Sequence, residues 1–105
     1  MIVAFSISPT ASDDTGSVSK AVAEAIRIVR DSGLPYETNA MFTNVEGEWD
    51  EVMEVVRRAV DVVAATSPRV GLVLKADIRP GYTGQLTTKV ERVAAHLAEQ
   101  PEADH

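Results

Sequence analysis

The sequence predicts an α+β fold, a ferredoxin-like βαββαβ antiparallel sheet with an appended C-terminal helix. Three observations predict it. Apolar and polar residues alternate over short stretches near residues 2–8, 35–47 and 70–78, the period of a half-buried strand. Between and after these, apolar residues recur at spacings of three and four, the period of an amphipathic helix. The order strand, helix, strand, strand, helix, strand, helix is the split βαβ arrangement with one helix added. Both crossover connections are expected to be right-handed, which sets their helices on one face of the sheet and leaves the other bare unless the third helix covers it. The usual strand order for this arrangement is 4-1-3-2.

The first strand is Ile2-Val3-Ala4-Phe5-Ser6-Ile7-Ser8. Val3, Phe5 and Ile7 share one side; Ala4, Ser6 and Ser8 share the other, which is small and polar. Pro9 ends it, and a polar loop reaches to Gly16. A helix follows over about residues 17–32, with Val18, Ala21, Val22, Ala25, Ile26 and Val29 as its apolar stripe and Thr15 or Ser17 as candidate caps. Gly33, followed by Leu34-Pro35, is placed to terminate it.

Pro35 to Thr38 reads as a short edge strand, and Asn39 to Gly47 as the next strand with almost no spacer. Either the two form a tight hairpin or they are one bent strand. Thr43, Asn44 and Glu46 stand out here, because a buried polar group in a strand costs free energy unless something hydrogen-bonds it. The second helix runs over about 48–65, with Glu48, Asp50 and Glu51 where the helix dipole favours negative charge. Trp49, Val52, Met53, Val56, Ala59, Val60 and Val63 form its expected buried stripe. Ser67-Pro68 stops it.

In the last strand, residues 70–78, Leu72, Leu74, Ala76 and Ile78 oppose Gly71, Val73, Lys75 and Asp77. A turn-rich loop, Arg79 to Gly84, leads to a third helix with Leu86, Val90, Val93, Ala94 and Leu97 on one side. A single domain over residues 1–99 is expected, with 100–105 a frayed tail. A bare sheet face carrying Ala4, Gly71 and Val73 is an oligomerisation surface by default.

Composition excludes several functions. The chain has 105 residues and no cysteine, which removes disulfides, thiolate metal sites and cysteine nucleophiles. A net charge of -6 disfavours nucleic acid and anionic membranes as partners. With a strand at the very start and no long apolar run, neither a secretory signal nor a membrane span is expected, and a cytoplasmic location is the default. His96 and His105 lie near the chain's end without a neighbouring acid in a strand-end setting, and no phosphate loop, metal-spaced cluster or nucleophile elbow occurs.

Ser6, Thr43, Lys75 and Asp77 come from three strands and could converge on one patch. The pair Lys75 and Asp77 is either a cross-strand ion pair or part of a pocket whose few polar groups orient a ligand. Glu46-Gly47 is either helix-start chemistry or a carboxylate for a protonated heteroaromatic nitrogen.

Ser6-Ile7-Ser8-Pro9, Ser17-Val18-Ser19-Lys20 and Val22-Ala23-Glu24-Ala25-Ile26 resemble the opening of the thiamine-binding protein family, that of YkoF and its single-domain relatives. The likeness continues through Ser32-Gly33-Leu34, Tyr36-Glu37, Met41, Thr43, Val45-Glu46-Gly47 and Asp50-Glu51-Val52. It closes with Lys75-Ala76-Asp77, Arg79, Leu86 and Lys89-Val90-Glu91. The chain departs from the family pattern at Ala40, Phe42 and Asn44, where proline, glycine and an apolar residue are usual.

The resemblance implies a non-enzymatic binding protein for thiamine or its hydroxymethylpyrimidine moiety, acting as a homo-oligomer, a dimer and commonly a tetramer. Thiamine would be a ligand; no catalytic cofactor or metal is implied. By carry-over, Ser6, Asn39, Thr43, Glu46, Lys75 and Asp77 would line the site, with Glu46 on a pyrimidine ring nitrogen and Thr43 near the amino group. The alternative is a structural or regulatory homo-oligomer with no small ligand.

Overall fold

The computed structural model describes residues 1–9 and 15–99. The expected loop before the first helix falls largely, and the expected frayed tail wholly, outside the described residues. The element order is β1 (Ile2–Pro9), α1 (Thr15–Asp31), β2 (Tyr36–Thr38), β3 (Thr43–Glu46), α2 (Trp49–Ala64), β4 (Val70–Asp77) and α3 (Gln85–Glu99). The four strands form one sheet in the order β2-β3-β1-β4, every neighbouring pair antiparallel. This is the ferredoxin-like arrangement that the order of elements predicts.

Register sorts the side chains into two faces. Val3 lies between Val45 and Ala76, and Phe5 between Thr43 and Leu74. These rows face α1 and α2, where Val3, Phe5, Val29, Val45, Val52, Val56, Ala59 and Val63 form a dry core. Full burial of one such valine contributes about 1.5–2 kcal/mol. On the opposite face, one row runs across the whole sheet: Glu37, Asn44, Ala4, Lys75. The next row is Glu46, Ile2, Asp77.

Local chemistry explains the boundaries. Thr15 and Ser17, read as candidate caps, both lie inside α1. Gly33 takes φ +80, the left-handed conformation that ends α1 at low cost. The segment from residue 39 to 42 is a turn and not a strand: the Asn39 N–H donates to the Phe42 carbonyl at 3.0 Å, and the Asn39 carboxamide oxygen accepts from the N–H groups of Met41 and Phe42. The tight hairpin is therefore realised, and Asn39 is its turn residue.

In α2, the Glu51 carboxylate accepts from the Glu48 N–H at 3.0 Å, closing the first turn. Trp49, expected in the buried stripe, points outward, and Val55 takes an inward place instead. Gly47 packs closely: a Cβ there would sit 3.1 Å from Val52 Cγ2 and 3.3 Å from Leu34 Cδ2, so these side chains would have to give by a few tenths of an ångström. Its N–H and C=O both bond to Met1, which ties the start of β1 to the β3–α2 junction.

The third helix does not lie across the bare face. Its main contact is with β3. Val90, Val93 and Leu97 stay about as exposed as surface residues, at 61%, 60% and 67%. No helix among the described residues is long and apolar enough to cross a membrane.

Candidate functional site

Two turns of backbone set the position of α3. Arg79 stacks its guanidinium on the Tyr82 ring, 3.7 Å from the centroid, and Gly81 and Gly84 take φ +81 and +66. The chain thereby reverses from the end of β4 and delivers the first turn of α3 to the bare face beside β3. Glu46 receives it there. One carboxylate oxygen accepts from the Gln85 N–H at 2.9 Å, the other from the Leu86 N–H at 3.2 Å. A helix begins with unsatisfied N–H groups and partial positive charge, so a carboxylate is the favoured partner. Glu46 is 5% exposed, and this bonding accounts for its burial.

Between that first turn and the sheet lies a cleft of about 460 Å³, within the usual range for small-molecule sites. Ile2, Ala4, Ala76, Leu86 and Val90 supply its apolar surface. Glu37, Asn44, Lys75, Asp77 and Gln85 supply polar groups from β2, β3, β4 and α3. Asn44 donates to the Glu37 carboxylate at 3.3 Å, which orients both side chains along the cross-sheet row. Such an arrangement can hold a mostly flat organic molecule on an aliphatic floor and fix its orientation through a few polar contacts. Among the described residues no three His, Asp or Glu side chains are grouped to hold a metal ion.

The residues predicted from sequence divide among three places. Lys75 and Asp77 line this cleft. Glu46 does not line it; its carboxylate bonds to the first turn of α3. The anticipated link between Glu46 and a helix start holds for α3, not for α2, which follows it in sequence. Thr43 is on the other face: it sits opposite Phe5, and its hydroxyl pairs with that of Thr38 at 3.2 Å. It does not join Lys75 and Asp77, because adjacent strand positions point to opposite sides. Ser6, Asn39 and Thr43 instead meet at a second depression of about 370 Å³, where β1 outruns β3. Asn39 uses its acceptor for the turn and Thr43 its hydroxyl for Thr38, leaving little polar capacity there. Half-buried Phe42 lines the same depression.

Sequence reasoning missed Glu37, Asn44 and Gln85 as cleft residues. The first two were within reach: the 4-1-3-2 order with strand alternation sets Glu37 and Asn44 on the row of Lys75 once the register is known. Gln85 had no local signal, since its placement depends on where α3 docks.

Fold and site together define a class: an open-faced ferredoxin-like module with a ligand-sized cleft beneath its last helix. Residues 3–94 match the family model described as thiamine-binding protein. The chain belongs to that family. It is 53% identical over 98 residues to UPF0045 protein Mb1933 of Mycobacterium bovis, covering 92% of this chain and 94% of that protein. The crystal structure of the hypothetical protein MJ1052 of Methanocaldococcus jannaschii superposes with a TM-score of 0.78 at 31% identity, over 89% of this chain and 94% of that one. TM0486 of Thermotoga maritima, provisionally described as a thiamine biosynthesis or salvage protein, superposes with a TM-score of 0.70 at 25% identity, over 86% and 96%. The family is named for binding a small molecule and not for a reaction.

Proposed function

We propose that the chain is a non-enzymatic binding protein for thiamine or its hydroxymethylpyrimidine moiety, acting as a homo-oligomer. The observation that carries this reading is the cleft under α3, where aliphatic residues and a cross-sheet polar row face one another. The family match and the description of the Thermotoga neighbour support it. Thiamine carries a permanent positive charge on one ring and an amino group on the other. Asp77 and Glu37 outnumber Lys75 among the charged groups of the cleft, which, in a chain of net charge -6, favours a cation there. Ile2, Ala4 and Leu86 offer an apolar bed for the rings.

Calorimetry on the native assembly, with thiamine and with hydroxymethylpyrimidine, tests this. Saturable binding of either at one per chain is the expected result; no heat from both ends the ligand reading. Asp77→Asn should weaken thiamine more than hydroxymethylpyrimidine, because only thiamine keeps a fixed charge.

A second reading is a structural homo-oligomer with no small ligand. It is favoured by the exposed Val73, Val90, Val93 and Leu97, apolar side chains that a second copy would cover. Sedimentation of ligand-free protein, taken with the calorimetry, separates the two: a stable assembly that binds neither compound supports this one.

A further inference from the structure

We infer that the outer edge of β4 pairs antiparallel with the same edge of a second copy, about a two-fold axis at Val73, joining the two sheets edge to edge. This rests on the homo-oligomer reading above and assigns it an interface. Strand β4 stands last in the order β2-β3-β1-β4, so no strand among the described residues pairs with its outer side. It runs against β1 without interruption from Val70 to Asp77 and contains no proline. An edge this regular is a template for another strand unless something blunts it. Leu72 and Val73, in the middle of it, are 43% and 58% exposed.

The backbone groups on offer follow from the register. Met1 and Gly47 exchange both hydrogen bonds, so by alternation the odd residues of β1 bond toward β3. The even residues of β1 therefore bond toward β4, where their partners are Gly71, Val73, Lys75 and Asp77. The N–H and C=O groups of Val70, Leu72, Leu74 and Ala76 are left directed outward.

Any extended chain could meet such groups; the side chains select a second copy. With the axis at Val73, that residue meets its own counterpart and Leu72 meets Leu74 of the second copy. Lys75 meets Gly71, whose lack of a side chain leaves it room. Arg69, just before the strand, meets Asp77, so opposite charges face each other at both ends of the pairing. Moving the axis one residue back sets Arg69 against Lys75, and one residue forward sets it against Arg79. Two residues forward, Lys75 meets itself. Like charges directly opposite are destabilising, so the sequence favours the Val73 axis. That arrangement is isologous and closes, leaving β4 no free edge.

Hydrogen exchange on the native assembly tests this without any variant. The amides of Leu72 and Leu74 should exchange at least about 100-fold more slowly than free amides; exchange near the free rate overturns the inference. Leu72→Pro then removes a donor aimed outward and no bond to β1. It should keep the circular dichroism of the wild type and shift sedimentation to smaller species. A folded Leu72→Pro whose assembly is unchanged overturns the inference as well. An assembly with fast-exchanging β4 amides ends this inference and leaves the homo-oligomer reading in place, whereas a monomeric wild-type protein ends both.

Discussion

Helices α2 and α3 carry similar patterns and meet different fates. In α2, Val52, Val55, Val56, Ala59 and Val63 are almost completely buried against the sheet and α1. In α3, Val90, Val93 and Leu97 follow the same spacing and remain exposed. The difference is in attachment. Helix α2 is a crossover, required by right-handed connection to lie on the core face. Helix α3 is tethered at one end, through the Glu46 carboxylate and the buried Gln85, and Val90, Val93 and Leu97 farther along it stay exposed. A helical apolar stripe states that a face will be covered. It does not state by what.

The largest effect should come from placing a charge on each stripe. Val56→Glu buries an unpaired carboxylate and should cost more than about 3 kcal/mol, enough to unfold much of the protein in urea melts followed by circular dichroism. Val93→Glu should leave the urea midpoint close to that of the wild type and, if a second copy covers α3, shift sedimentation toward smaller species. Equal unfolding by both would erase the contrast between the helices.

Glu46→Gln probes the tether itself. It removes the charge facing the first N–H groups of α3 and should cost about 1–2 kcal/mol. Hydrogen exchange should quicken at the amides of Gln85 and Leu86 while those of Val3 and Val45 stay protected. Uniform acceleration across the sheet would show that Glu46 supports the core and not one helix.

Gly47→Ala tests how closely the other helix is seated. The new Cβ would press on Val52 Cγ2 and Leu34 Cδ2, and a loss of about 1–2 kcal/mol is expected from this crowding. No change in the thermal midpoint would mean that the junction yields freely.

The smallest effect lies on the outer surface of α2. The Arg57 guanidinium hydrogen-bonds the Glu54 carboxylate and holds its pKa below the ordinary value. A lowered folded-state pKa adds stability above the unfolded value, which is lost as pH falls through the folded one. The pair is exposed, so Arg57→Gln should return the Glu54 titration to the ordinary range by NMR without a measurable change in melting.

The contrast between the helices also marks how far the sequence can be read. Strand and helix periods gave the element order and the core side of β1, since each depends on local alternation, and the strand order followed as the usual one for that arrangement. Thr43 was placed on the wrong face because the reading treated residues 39–47 as one continuous strand and did not fix its register against Phe5. Lys75 and Asp77 were found because they stand two apart on one strand. The partner of Glu46 lies 39 residues away, across a glycine-hinged loop, and no local pattern announces such a meeting. Family resemblance pointed to Glu46 as important but not to the geometry that makes it so.

Because Glu46 holds α3 by the backbone of its opening turn, the helix behaves as a graft on a finished scaffold. Turns added beyond Leu97 should leave the root, and the sheet beneath it, unchanged. The distal end is therefore the natural place to fuse a reporter.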